Sequence, residues 1–370
     1  MKLHIAEYVS PGHPDRLADA VVEKCVECAV MRDSEALVGL ECAVHTDKVF
    51  LDGRIAAGYG RPAVAHQDLE ALVRAAYRDA GYGGTWRPAA NELKVIQDVC
   101  LEALGDDERS VRGYADDQSV VAGYACNSPE TAWLPAAHYI ANRLGVGLAQ
   151  WQARTTNAEL FGPDFKILVQ IGEDGRRYAW DRLTLSIQHR AGVEYPAQYA
   201  LLRPVIAKML ADLEQQGIVG IAALPDERLM LNGAGDFIQG GPEGDNGLSG
   251  KKLAIDFYGP EIPIGGGTIC GKDPHKVDVC GAFRARELAC QLVRERGYAA
   301  VNVRLGWSPG EAAPAFREVT AYDPLGFSRP VPPSCLPPAE WFDIATSNRD
   351  LQLAAIHRAD RLKNGYFIPE

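Results

Sequence analysis

Along these 370 residues, a pair of extended runs followed by a long helix recurs about three times, and this repeat limits the folds open to the chain. Apolar spacing predicts a helix over 15–31, strands over 37–44 and 48–55, and a helix over 62–80 stopped by Gly81. Strand-like runs follow at 93–99, 119–125, 166–171 and 182–187, then a helix over 197–215 and a strand over 252–258. The best-marked helix covers 274–296, with Asp273 as its expected N-cap, Pro274 at the first helical position and Gly297 as its stop. Strands this consistently paired predict an α+β protein of mostly antiparallel sheets with helices on one face, rather than a doubly wound parallel sheet.

Composition narrows the function. Lys and Arg number 38 against 49 Asp and Glu, a formal charge of −11, which argues against bulk nucleic-acid binding. It leaves room for a locally basic pocket. No apolar run reaches the roughly 18 residues of a membrane span, and the start, Met1-Lys2-Leu3-His4-Ile5-Ala6-Glu7, turns polar too early for a secretory signal. The nine cysteines lie among apolar neighbours, and the Cys25-x-x-Cys28 pair has no second pair at zinc spacing, so they read as small hydrophobes in a reducing, cytoplasmic setting.

Chemistry concentrates in two glycine-rich stretches. Residues 265–274, Gly-Gly-Gly-Thr-Ile-Cys-Gly-Lys-Asp-Pro, expose backbone amides and bring Lys272 to a helix entrance, as in an anion cradle. The Gly-x4-Gly-Lys part of a Walker loop is present, but Asp273 stands where Ser or Thr would ligate magnesium, so a Walker NTPase is rejected and phosphate is kept. Lys276 and Asp278 follow in the first turn, cations beside a carboxylate, which suits magnesium-bound phosphate. Residues 240–252 are broken by Asp245 and end in Lys251 and Lys252, a composition for backbone wrapped around a ligand. Gly12-His13-Pro14-Asp15-Arg16 opens the first helix with an imidazole and a carboxylate. Read singly, each of these is equally a turn, a cap or a solvated face.

Taken in order, Gly12-His13-Pro14-Asp15, Asp117-Gln118, Gly123-Tyr124-Ala125, the 240–252 block, Asp256-x-Tyr258-Gly259 and the 265–278 block resemble the S-adenosylmethionine synthetase (methionine adenosyltransferase) family over nearly the whole chain. The resemblance implies three similar subdomains of mostly antiparallel sheet covered by helices about a pseudo-threefold axis, here expected at 1–120, 121–235 and 236–370. It implies adenosyl transfer from ATP to methionine, with tripolyphosphate then hydrolysed to pyrophosphate and phosphate. Two Mg2+ per site and K+ are the implied cofactors. The implied assembly is a homodimer or homotetramer with active sites between subunits, and no nucleic acid or membrane takes part.

Carried over position by position, the resemblance gives His13, Lys166, Lys251 and Lys272 catalytic contacts with the phosphate chain. It gives Asp117, Asp164, Phe237, Asp245, Lys252 and Thr268 to ATP, with Phe237 stacking on adenine. Gln97, Asp245 and Lys276 fall to methionine, Gln97 by its distance from Asp117. Asp15 and Asp278 would hold magnesium, and Glu41 potassium.

Four departures bear on the substrate. Arg16 stands for the family lysine, and Lys251 for an arginine, losing a bidentate fork. Asp236 stands where an arginine precedes the aromatic. Arg54 aligns with a glutamate that binds the methionine ammonium, so it either repels an ammonium from the pocket, or the register slips there, or it turns outward and leaves Asp245 to suffice. Three readings follow: a methionine adenosyltransferase, a specialised adenosyltransferase using another thioether or nucleophile, and a non-catalytic nucleotide-binding partner subunit. Retention of His13, Asp15, Lys166, Lys272 and Asp278 argues against the last.

Overall fold

The computed structural model describes residues 2–174, 177–220 and 224–368. Along the chain run β1 (Lys2–Val9), α1 (Pro14–Arg32), β2 (Leu37–His45), β3 (Lys48–Ala56), α2 (His66–Asp79) and β4 (Lys94–Glu102). Next come α3 (Asp106–Ser110), β5 (Ser119–Cys126), α4 (Ala136–Gln152), α5 (Thr155–Ala158), β6 (Phe161–Asp174), β7 (Arg177–His189) and α6 (Tyr195–Gln215). The remainder is β8 (Leu229–Leu231), β9 (Gly247–Leu248), α7 (Leu253–Asp256), α8 (Val277–Arg296), β10 (Ala300–Trp307), β11 (Phe316–Tyr322), β12 (Ser328–Pro330), α9 (Ile344–Leu351) and α10 (Arg358–Asn364).

These strands form three four-stranded sheets, ordered β1-β6-β7-β8, β4-β3-β2-β9 and β12-β11-β10-β5. Each centres on one antiparallel hairpin, β6-β7, β2-β3 or β10-β11. A long helix precedes each hairpin: α4, α1 and α8. The strand before that helix does not join its own hairpin. β1 pairs with β6, β5 with β10 and β9 with β2, always antiparallel to the first strand of the hairpin. The exchange is cyclic, so the α+β units interlock about the pseudo-threefold arrangement. Three separate hydrophobic clusters fill the space between sheets and helices.

The opposite face of each sheet is left open. Along the middle sheet, Leu248, Ala43, Phe50 and Ile96 are directly paired neighbours and share this face. The next row on the same side is Glu41, Asp52 and Asp98.

Two expected elements differ. Residues 252–258 do not form a strand: Asp256 N–H bonds Lys252 O and Phe257 N–H bonds Leu253 O, so α7 forms, and the adjacent edge of β2 is already taken by β9. The helix expected from 274 begins at Val277, because the Asp273 carboxylate accepts from Val38 N–H and His275 N–H instead of capping the helix. Gly297 ends α8 at φ 66° as expected. Helix α4 was not anticipated; the Tyr8 ring packs so closely on Gly145 that a Cβ there would lie 2.0 Å from it.

Candidate active site

The N-terminus of α1 is the centre of one cluster. His13 sits at the cap position, and its Nδ1 accepts from Asp15 N–H at 3.2 Å, which leaves its proton on Nε2. Burial, aided by the Lys166 ammonium, pushes this imidazole down to about 3. At neutral pH His13 is therefore an uncharged hydrogen-bond donor. Burial works to raise the Asp15 carboxyl, yet Lys252 and the Leu248 amide outweigh it and hold Asp15 below the ordinary aspartate value. Lys251 Nζ lies 3.8 Å from the same carboxylate, with its side chain half exposed.

The loop after β1 must approach the start of β6 closely to build this cluster. Ser10 Oγ donates to Pro163 O at 2.8 Å, and a Cβ on Gly12 would come within 2.4 Å of that same carbonyl, so only glycine fits. Buried Asp164 accepts from Gly241 N–H at 2.8 Å, and burial pushes its carboxyl up to about 6. The Tyr82 hydroxyl donates to Gly12 O and lies against Gly241, whose φ is 62°. Asp245 is exposed and accepts from Asn246 N–H; its charge reaches both His13 and Asp164. Half-buried Phe237 is fixed by its N–H donating to His189 Nε2 at 3.0 Å, while Asp236 points to solvent.

A second cluster surrounds the later glycine block. Lys272 Nζ and Ser119 Oγ both donate to Asp278, whose carboxylate lies where a Cβ on Gly267 would sit. Lys276 pairs with Asp116, and Asp117 accepts from Gln118 N–H. The two clusters share a frame: Leu248 pairs with Ala43, and Lys272 bridges Gly39, on the same edge of β2. Four residues of strand separate these points, about 13 Å. Thr268 Oγ1 accepts from Cys270 N–H, and its methyl packs near Gly250, where the glycine blocks meet. Among the described residues no ion pair joins one cluster to the other.

Three expected residues, Glu41, Gln97 and Arg54, join neither cluster; Glu41 lies exposed on β2 opposite Asp52. Gln97 lies mid-way along β4 with its amide bonded to His66. Arg54 lies between Glu102 and Glu108, each reached at 2.7 Å. Arg16 is buried between Asp19 and Asp256 and plays a structural part. Sequence reading missed the role of Asp19 and Glu23, which continue the spacing of Asp15 along α1 and accept from Gly250 and Gly271 N–H. Their i, i+4, i+8 interval was a legible signal.

With this geometry in place, comparison with known proteins is direct. Residues 1–100, 112–237 and 239–364 match in turn the S-adenosylmethionine synthetase N-terminal, central and C-terminal domains. An S-adenosylmethionine synthase of Zymomonas mobilis is 32% identical over 319 residues, 84% of this chain and 79% of that protein. One of Pelagibacter ubique is 31% identical over 327 residues, 87% of this chain and 81% of that protein. The fold is similar to that of an unusual S-adenosylmethionine synthetase from Campylobacter jejuni, with a TM-score of 0.81 at 22% identity, covering 99% and 94% of the two chains. The chain belongs to the S-adenosylmethionine synthetase family.

Proposed function

We propose that this protein is a methionine adenosyltransferase that joins ATP and L-methionine to give S-adenosylmethionine, pyrophosphate and phosphate. The observation that carries this reading is the lysine-rich first cluster, with neutral His13 and the Asp15 carboxylate held at the start of α1 against the 240–252 block. A neutral thioether attacking C5′ must expel a highly charged tripolyphosphate, so fixed cations aimed at the phosphates supply most of the stabilisation. Lys166, Lys251, Lys252 and Lys272 take that part, His13 Nε2–H donates to the departing oxygen, and Phe237 offers its ring to adenine. Asp117, Asp164, Asp245 and Thr268 complete the nucleotide contacts. Asp245 and Lys276 are assigned to methionine.

Among the described residues no three His, Cys, Asp or Glu side chains converge on a metal. Asp15 and Asp278 instead stand one in each cluster, each carboxylate paired to a lysine, which fits magnesium completed by phosphate oxygens and water. Bound there, the two Mg2+ would neutralise charge developing on the leaving group. Glu41, exposed on the open face of β2, is assigned to K+.

Separate clusters support active sites shared between subunits of a homodimer, the open sheet faces with Phe50, Ile96 and Leu248 forming the contact. The stretches 1–120, 121–235 and 236–370 are taken as the three interlocked units. No helix of the described residues is long and apolar enough to cross a membrane, and the nine unpaired cysteines support a reducing cytoplasm as its location. Pairing of Arg54 with two glutamates removes the reason to invoke another acceptor. The test is a panel of thioethers with ATP, Mg2+ and K+: methionine is expected to turn over best, and preference for another thioether by tenfold or more would displace it.

A further inference from the structure

Lys272 can meet a phosphate chain only if the bend that carries it, residues 269–272, is rigid. Three of the polar backbone groups in that bend point inward, away from ligand. Gly271 N–H donates to Glu23 Oε1 at 2.9 Å. Ile269 O and Lys272 O both accept from the guanidinium of Arg358, at the start of α10. Arg358 in turn bonds Glu23 Oε1 at 2.8 Å, and both side chains are almost fully buried, at 3% and 0% exposure. Glu27 anchors the same end of α10 by accepting from Ala359 N–H. The opposite side of the bend is fixed by Leu40 N–H donating to Gly271 O.

We propose that Arg358, braced by Glu23, is a positioning residue for Lys272. The proposal rests on the nucleotide-binding role assigned to Lys272 above. A planar fork can reach two carbonyls and a carboxylate at once, which a lysine ammonium on a flexible stem does not reproduce. Removing it leaves two buried carbonyls and the Glu23 charge unmatched, and the bend relaxes toward other partners. The sequence offers no hint of this link, because Arg358 is 86 residues from Lys272 and 335 from Glu23. It gives the C-terminal helix a part in catalysis without contact with substrate.

A double-mutant cycle separates positioning from mere stabilisation. Affinity of the intact protein for a non-hydrolysable ATP analogue with Mg2+ is measured by calorimetry for wild type, Arg358→Lys, Lys272→Ala and the double variant. Arg358→Lys is expected to weaken binding about tenfold when Lys272 is present, and less than twofold when it is Ala. Equal losses in both backgrounds, or no loss in either, would overturn the proposal. Should Arg358→Lys fail to fold, Glu23→Gln, which keeps the shape and the Gly271 acceptor, enters the same cycle with the same pattern expected. Binding is read without turnover, so a wild type that binds the analogue but makes no adenosyl product would count against the function and not against this link.

Discussion

Arg54 Nη1 donates to Glu108 at 2.7 Å, tying the C-terminal end of β3 to the short helix α3. The same guanidinium makes two bonds to Glu102. Nearby, Arg109 holds α3 to Asp33 and Glu35, and Arg112 reaches buried Asp273. The segment that leads from β4 to β5 is thus strapped down at three arginines. The charge that Arg54 would bring to a methionine pocket is balanced within the chain.

Consequently, Arg54→Ala should change the KM for methionine by less than about threefold, since an exposed ion pair is worth about 0–1 kcal/mol. Its effect should fall on the strap, as faster proteolytic cleavage between residues 103 and 114. Arg54→Glu would set three carboxylates together and should loosen the strap further, with no gain in methionine use. Improved methionine use by Arg54→Glu would show that the side chain faces the pocket.

Lys272→Ala removes the cation beside Asp278 while Ser119 still holds that carboxylate. Turnover should fall by a factor of about 100 or more, the scale for losing one preorganised charge at a developing anion. Circular dichroism should be unchanged, since the lysine side chain is 29% exposed. Steady-state kinetics in ATP checks this.

Gly12→Ala tests the close approach of the loop after β1 to the start of β6. The new Cβ would meet Pro163 O, a backbone atom that cannot swing aside. Overpacking of this kind costs about 1–3 kcal/mol, read by denaturant unfolding, and it should displace His13 enough to reduce activity as well.

The pH response follows from Asp164 and His13. The buried Asp164 carboxyl titrates near 6, raised above its unfolded value, so its contribution to stability is present at low pH and is lost as pH rises through about 6. His13 is the reverse. Its folded value near 3 lies below the unfolded one, so stability is lost as pH falls from about 6.5 toward 3. Activity should decline below about pH 6 as Asp164 takes a proton, and Asp164→Asn should remove that step from the kcat/KM profile for ATP.

How much of this was legible in the sequence depends on the range of the interactions. The hairpins β2-β3 and β6-β7 and helices α1, α2 and α6 follow from local periodicity, and the glycine blocks from motif order. Strand β9 has two residues inside a glycine-rich stretch and exists because the edge of β2 is there to pair with. Helix α4 carries Gly145 and Gly147, which lower its helical signal; Gly145 answers to Tyr8, a residue of another unit. His13, Asp15 and Lys252 were identifiable because the first two share one short motif and the third ends another. The partners of Arg54 and Arg358 were not, since no local pattern records a contact across many tens of residues.

The proposed sharing of active sites between subunits predicts complementation. Asp15→Asn and Lys272→Ala homodimers should each be inactive, but when mixed under conditions that exchange subunits, half the dimers become hybrids with one intact site. About a quarter of wild-type activity should return. No recovery, with hybrids present by native mass spectrometry, would place both clusters in one subunit's site.

The central claim is tested most directly by following ATP, L-methionine, Mg2+ and K+ to products with the purified protein. S-adenosylmethionine, pyrophosphate and phosphate should appear in equal amounts, and only when methionine is present. Bound ATP that yields no adenosylated product, or ADP and phosphate regardless of methionine, would contradict the account.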